Sequence, residues 1–365
     1  MSTGRILSIQ SHVAFGYVGG KAAVFPLQCL GYDVDVINTV NFSNHTGYGR
    51  FGGTRTNAEE LSKIFHPMEE NGLLRQDRLL TGYIPGGEAL TAVKEMAERL
   101  RKSNPKLIYL LDPVLGDSGK LYVAPDTIPI YRSMLPLSTI ITPNWFEVEV
   151  LTDTRITDMN SLRTALRILH EEHKVPNVVI SSIPLKKWLL DVVPAQLQQT
   201  EAPDSEDGYL LCISSSYENR ESGSKVLSTV HARAIPCIPG YFSGVGDLFS
   251  ALVLAHYKPP SSTFVPQLSP SPSESPSSNE NALSIAASHA LSKTHAILSL
   301  THEYAMNLPE DERLPTDEEL DAKEPARKIS RMRGRELRLV QGQDVIRGTK
   351  PCVYRKMEVW TDFWA

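Results

Sequence analysis

Apolar, strand-like runs alternate with helix-period segments along most of this chain, and that alternation restricts the fold more than any other feature. Arg5–Ile9, Asp33–Asn38, Lys106–Leu111, Thr139–Thr142 and Asn177–Ser182 have the length and apolar or β-branched content of strands. The segments Lys21–Leu30, Asn57–Glu70, Gly87–Lys102, Asn144–Leu151 and Asn160–His173 lie among them as helix candidates; in the third, Leu90, Val93, Met96, Ala97 and Leu100 recur at helical spacing. This order predicts an α/β fold, a mostly parallel sheet covered by helices on both faces. Tyr209–Ser214 and Ser228–Ile235 follow one another with no helix between them, which predicts a small antiparallel section. Ligands of such sheets sit at the carboxyl ends of the strands.

Two segments do not fit a compact core. Residues 259–281 are rich in serine and proline and read as a disordered or extended excursion between two helices, Asp247–Tyr257 and Ala282–Glu303. Residues 307–335 are acidic first (Glu310 to Asp321) and basic afterwards (Arg327 to Arg335). A solvated, internally compensating and disordered insertion is the plainer reading of that stretch; nuclear import or nucleic-acid contact is the sharper one. Residues 336–365 then return to the main domain of 1–306, with Glu336–Gln341 alternating like a strand.

A formal net charge of −5 gives no reason to expect nucleic acid or an anionic membrane as partner. Cysteines 29, 212, 237 and 352 are widely spaced, which argues against a zinc site or disulfide scaffold and for reduced thiols. The expectation is a cytoplasmic protein, with the nucleus as a second compartment.

The chemistry concentrates in short loops. Gly240-Tyr-Phe-Ser-Gly244-Val245-Gly246-Asp247 turns straight into the apolar run Leu248–Ala255, a glycine loop opening a helix. Such a terminus offers unpartnered amides and the positive end of the helix dipole to an anion. Asp247 there is either an ordinary first-turn acid or a base beside an anion cradle. Asp112-Pro-Val-Leu-Gly-Asp117 follows a buried-looking strand, so its carboxylates either cap a loop or converge on magnesium. In Thr142-Pro-Asn144-Trp-Phe-Glu147, Glu147 stands where a capping box would put it; contact with a metal-bound water is the alternative. The loop Asn38–Gly49, with two aromatics and glycine hinges, suits a lid, or is merely long. Tyr83 is either a wall for an aromatic substrate or a core residue.

Taken together, Leu7-Ser-Ile-Gln-Ser-His-Val13, Gly16-Tyr-Val-Gly19, Phe42-Ser-Asn-His-Thr-Gly-Tyr48, Leu80-Thr-Gly-Tyr83, Asp112–Asp117, Ile141-Thr-Pro-Asn144 with Glu147, and Gly244-Val-Gly-Asp247 resemble the pyridoxal kinase family of the ribokinase-like superfamily. Glu336-Leu-Arg-Leu-Val-Gln341 resembles the end of its eukaryotic members. The resemblance implies a three-layer α/β/α sandwich and ATP-dependent phosphorylation of the 5′-hydroxymethyl group of pyridoxal, pyridoxine and pyridoxamine. It implies Asp247 as general base and the backbone of Gly244, Val245 and Gly246 as anion hole. Ser11, Val18, His45, Thr46 and Tyr83 would meet the vitamer. Asp112, Asn144, Glu147, Ser181, Ser182, Ile238, Pro239, Gly240 and Val245 would lie along ATP. Magnesium, or another divalent ion, and a monovalent cation (K⁺ or Na⁺) would involve Asp112, Asp117, Thr142 and Glu147. A homodimer is implied as well.

The chain departs from the family pattern in places. Val245 replaces a common threonine, Ser181 another; the loop Asp117–Tyr122 is short, and Lys186–Gly208 diverges, which leaves the adenine pocket open. Two rival readings remain: a hydroxymethylpyrimidine kinase of the same architecture, and a non-catalytic regulator on a kinase fold.

Overall fold

A computed structural model describes residues 4–197, 208–217, 226–259, 280–314 and 316–365. Its strands are β1 (Arg5–Val13), β2 (Asp33–Phe42), β3 (Gly53–Arg55), β4 (Arg78–Thr81), β5 (Ile108–Leu111), β6 (Gly116–Asp117), β7 (Lys120–Leu121), β8 (Ile140–Ile141), β9 (Asn177–Pro184), β10 (Tyr209–Ser216), β11 (Thr229–Pro236) and β12 (Glu358–Val359). The helices are α1 (Gly20–Cys29), α2 (Ala58–Glu70), α3 (Gly87–Ser103), α4 (Thr127–Met134), α5 (Trp145–Thr152), α6 (Met159–Arg167), α7 (Lys187–Leu190), α8 (Val245–His256), α9 (Ala282–Met306), α10 (Glu318–Lys323), α11 (Pro325–Gly334) and α12 (Gln343–Arg347).

All strands but β6 and β7 join one sheet in the order β12-β11-β10-β9-β8-β5-β4-β1-β2-β3. Pairing is parallel from β9 through β8, β5, β4 and β1 to β2. It is antiparallel at both flanks, β9–β10–β11–β12 on one side and β2–β3 on the other. The expected mostly parallel sheet with a small antiparallel section is therefore the architecture of the molecule.

Alternation along the strands builds two separate apolar layers. Leu7 and Ile9 of β1, Leu79 of β4, Tyr109 and Leu111 of β5 and Ile141 of β8 pack with α2 to α6. Ile6, Leu80, Leu110 and Ile140, one position away, face the other side and pack with α1, α8 and α9. Strands covered on both faces are apolar at most consecutive positions, which is why they read as near-continuous apolar runs and not as alternating ones; the buried polar residues of β1 and β4, such as Ser8 and Arg78, are the exceptions.

The structure differs from expectation in three places. Glu336–Gln341 is not a strand; the chain rejoins the sheet later, through β12, where His231 and Ala232 pair with Val359 and Glu358. Much of 307–335, expected to be disordered, carries α10 and α11. Its charges are internally compensated by Arg331 and Asp321, which form a bidentate ion pair, and Met332 is buried. The helix expected over Asn160–His173 ends as α6 at Arg167 and continues as one π turn, Ile168–Glu172. The expectation for 259–281 falls almost wholly outside the described residues.

Candidate active site

The glycine loop and α8 do bring their N-terminus to the carboxyl end of β1. Gly244 caps α8 in the left-handed region (φ 79°) with no side-chain cap, and a Cβ there would fall 2.0 Å from the Tyr17 carbonyl oxygen. Only glycine fits that approach. The amides of Val245, Gly246 and Asp247 precede the first intrahelical hydrogen bond, from Leu248 N–H to Gly244 O, so α8 offers them to an outside anion. Gly246 is exposed with open space beside it. The Val245 side chain packs against the apolar layer. Valine in place of threonine therefore leaves the backbone cradle intact.

Asp247 is held from across the cleft. Its Oδ2 accepts the Gly19 N–H at 2.7 Å, which ties the first turn of α8 to the turn entering α1. Gly19 (φ 55°) in turn lies against Ser11, where a Cβ would come within 2.1 Å of Oγ. Ser11, Gly19 and Asp247 thus form one contiguous floor. Burial raises the Asp247 pKa and the Gly19 amide opposes it; the result is a stronger base than an exposed aspartate.

Asp112 and Thr142 meet through a residue that the sequence reading missed. Ser250, three positions after Asp247 on α8, donates to Asp112 Oδ2 at 2.9 Å and lies 2.8 Å from Thr142 Oγ1. Burial, and secondarily the charge of Asp247, pushes the Asp112 pKa up to about 8. The i, i+3 spacing of Asp247 and Ser250 on one helix was the available signal.

Glu147 is the capping box its position suggested, and more. Its Oε2 accepts Asn144 N–H at 2.9 Å, while Oε1 accepts Leu115 N–H at 3.0 Å and Gly116 N–H at 3.4 Å. It thereby clamps the β5–β6 loop to the start of α5, and Asn144 adds a bond to Gly116 O. Burial and the Asp112 charge raise the Glu147 pKa well above its usual range, against those amides. Asp117 accepts from Ser118 N–H at 2.7 Å at the tip of the β6–β7 hairpin.

The fit of a metal can be judged from this charge pattern. Among the described residues, no three His, Cys, Asp or Glu side chains converge closely enough to hold an ion by themselves. The charge of Asp247 nevertheless acts on Asp112, and that of Asp112 on Glu147, so negative charge accumulates among these three carboxylates. That suits a magnesium ion completed by phosphates and water, the usual habit of this ion, and does not suit an all-protein cage.

The remaining candidates surround the cleft. The loop after β2 forms a 3₁₀ turn, Thr46–Tyr48, with Thr46 exposed and His45 buried. Both His45 nitrogens are engaged within the protein, Nδ1 by Gly47 N–H at 3.2 Å and Nε2 at 3.1 Å from Glu336. His45, expected near the vitamer ring, has its imidazole hydrogen bonds satisfied within the protein. Tyr83 follows β4, half-buried, and its carbonyl accepts from Thr39 of β2 at 2.7 Å. Val18, Ser181, Ser182, Ile238 and Pro239 are half-buried; Ser181 N–H bonds Pro143 O. Exposed Gly240 lies against the Arg335 guanidinium, which no sequence signal had placed there. Arg335 and Glu336, noted in the sequence only within a basic run and a family-like motif, face the site through contacts that local sequence does not signal.

Comparison with known proteins adds the following. A family model described as phosphomethylpyrimidine kinase matches residues 77–205. The chain is 44% identical over 253 residues to the pyridoxal kinase of Arabidopsis thaliana, covering 69% of this chain and 74% of that one. It is 37% identical over 258 residues to the pyridoxal kinase of Homo sapiens, covering 69% and 76%. Its fold matches the pyridoxal kinase of Leishmania donovani solved with ADP and pyridoxamine: TM-score 0.72, 27% identity, 98% of this chain and 99% of that one.

Proposed function

The chain belongs to the pyridoxal kinase family, and from that premise we propose that it transfers the γ-phosphoryl group of ATP to the 5′-hydroxymethyl group of pyridoxal, pyridoxine and pyridoxamine. The observation that carries the reading is the Asp247 carboxylate, seated in the first turn of α8 among amides without intrahelical partners and oriented by Gly19 N–H.

In this reading Asp247 takes the proton of the attacking hydroxyl, and the oxygen adds to the γ-phosphorus as its bond to the β-phosphate bridge breaks. The amides of Gly244, Val245 and Gly246 receive the negative charge spread over the transferring group. The positive end of α8 assists them. Ser11 and Thr46 bond the pyridine substituents, and Val18 and Tyr83 wall the ring. Asn144, Ser181 and Ser182 run along the phosphates, with Ile238, Pro239 and Gly240 toward the adenosine. Magnesium would be held by Asp112, with Asp117 and Glu147 near it, and when bound it neutralises phosphate charge. Potassium or sodium would rest at Asp112 and Thr142. The family also suggests a cytoplasmic homodimer; light scattering of the purified protein tests its mass.

The experiment is a coupled assay of the purified protein with ATP and magnesium against the three vitamers and hydroxymethylpyrimidine. The reading predicts the highest kcat/KM for a vitamer. A clear preference for the pyrimidine would transfer the assignment to the phosphomethylpyrimidine kinase branch that the match over 77–205 represents.

A further inference from the structure

Three donors from two distant parts of the chain converge on one carboxylate that the reaction itself does not use. Glu336 lies two residues beyond α11. Its Oε2 accepts the Tyr17 N–H at 2.8 Å; its Oε1 accepts the Tyr48 hydroxyl at 2.8 Å and lies 3.1 Å from His45 Nε2. Tyr17 belongs to the β1–α1 turn, beside Val18 and Gly19. His45 and Tyr48 bracket the turn that carries Thr46. The carboxylate is 12% exposed. Burial alone would raise its pKa, but the bonds from His45, Tyr48 and Tyr17 outweigh burial and hold it below the ordinary glutamate value.

The surroundings are shaped for this contact. At Gly16 (φ 92°) a Cβ would fall 2.4 Å from Glu336 Oε1, and at Gly47 one would fall 2.8 Å from His45 Nδ1. The hydrogen-bond directions also fix the imidazole. Gly47 N–H can only donate, so Nδ1 carries a lone pair; the ring proton therefore sits on Nε2 and points to Glu336.

We infer that Glu336 is a positioning residue for the phosphoryl-acceptor half of the site, holding His45 as its Nε2–H tautomer and tying the Thr46 turn to the β1–α1 turn. This rests on the kinase reading. The vitamer then meets a wall already assembled, so the cost of ordering the loop does not fall on its binding energy.

Replacement by glutamine tests this, because one carbonyl oxygen cannot accept from both sides of the carboxylate while the amide N–H₂ faces another donor. Glu336→Gln is expected to raise KM for pyridoxal about tenfold and leave KM for ATP within about twofold. Tyr48→Phe, which removes one donor and keeps the ring, is expected to raise it about threefold. A residue that only supported the fold would lower the melting temperature and the active fraction but leave KM of the folded enzyme unmoved. Proton NMR of the ligand-free protein gives a second readout: wild type should show a slowly exchanging imidazole N–H from His45, absent in Glu336→Ala. An unchanged KM for pyridoxal in folded Glu336→Gln and Tyr48→Phe, or an N–H resonance that persists in Glu336→Ala, would overturn the inference. If wild type failed to phosphorylate any vitamer, the kinase reading would fall instead, and the imidazole proton would still decide the role of Glu336.

Discussion

Asp247 and Asp112 face the same cleft with different electrostatic fates. Asp247 keeps a backbone donor, Gly19 N–H, against its desolvation, whereas Asp112 has one hydroxyl, from Ser250, against both burial and its acidic neighbour. Replacing Asp247 by alanine should cut kcat by ~10² or more with ATP binding largely retained; steady-state kinetics and nucleotide titration check both halves. Asp112 yields a prediction about pH. Its folded pKa, about 8, lies above the unfolded value of 3.8, so the folded chain binds the extra proton across that window. Its contribution to stability is then fully present below the unfolded pKa and is lost as pH rises toward about 8. Melting curves of metal-free protein should fall along that window, and those of Asp112→Asn should be flatter. Stabilisation by added magnesium should grow over the same range, since the ion competes with the proton. A magnesium shift independent of pH would count against Asp112 as its ligand. At this scale the sequence was legible where glycines and carboxylates sit side by side, as in Gly244–Asp247. It named Glu336 only as the start of a family-like motif and gave it no role, because its partners lie 288 to 319 positions away.

Helix α8 is secured at both ends, which makes it the element on which the site depends. Its C-terminal carbonyls are taken up by Arg78 of β4, whose Nη1 donates to Leu254 O at 2.6 Å and Nη2 to Tyr257 O at 2.9 Å. Tyr32 adds a hydroxyl to Ala255 O at 2.8 Å. A buried guanidinium at a helix C-terminus satisfies orphan carbonyls and complements the dipole. Arg78→Met removes a charged double donor from buried acceptors and should cost ~2–4 kcal/mol of stability, read from the denaturation midpoint at constant slope. A loss below ~0.5 kcal/mol would show that the end of α8 does not need Arg78. Long, locally consistent elements were legible: α2, α3 and α9 begin within a residue of expectation because capping asparagines or apolar periodicity mark them. The rest lacked a local signal. Residues Thr127–Met134 contain Pro129, yet proline in a first turn removes no needed donor, so α4 forms. The two-residue β12 exists only because β11 offers an edge. The alternation at Glu336–Gln341 reflects Leu337 and Leu339 buried against the α9 layer, not a strand.

In the whole molecule, the sheet serves to bring loops from opposite ends of the sequence to one rim. The β1–α1 turn, the loop after β2, the β5–β6 loop and the start of α8 meet there. The residues after α11 close the rim from behind. The layered architecture was legible because the central strands are mostly apolar on both faces; the helices α10 and α11 were not, since charged segments look alike whether solvated or paired. The connection between α8 and α9 offers a test at this scale. These helices pack on each other within one apolar layer, so replacing residues 260–279 by a short glycine–serine linker should leave kcat/KM within about twofold. A collapse of soluble yield or activity would show that the connection is structural.

The claim at the centre is that Asp247 receives the proton of the alcohol being phosphorylated. A crystal structure with pyridoxal and a non-hydrolysable ATP analogue measures it directly. The 5′-hydroxyl oxygen is expected within about 2.6–3.2 Å of an Asp247 carboxylate oxygen, with the γ-phosphate over the amides of Gly244–Gly246. A hydroxyl held by another residue, out of hydrogen-bond reach of Asp247, would contradict it.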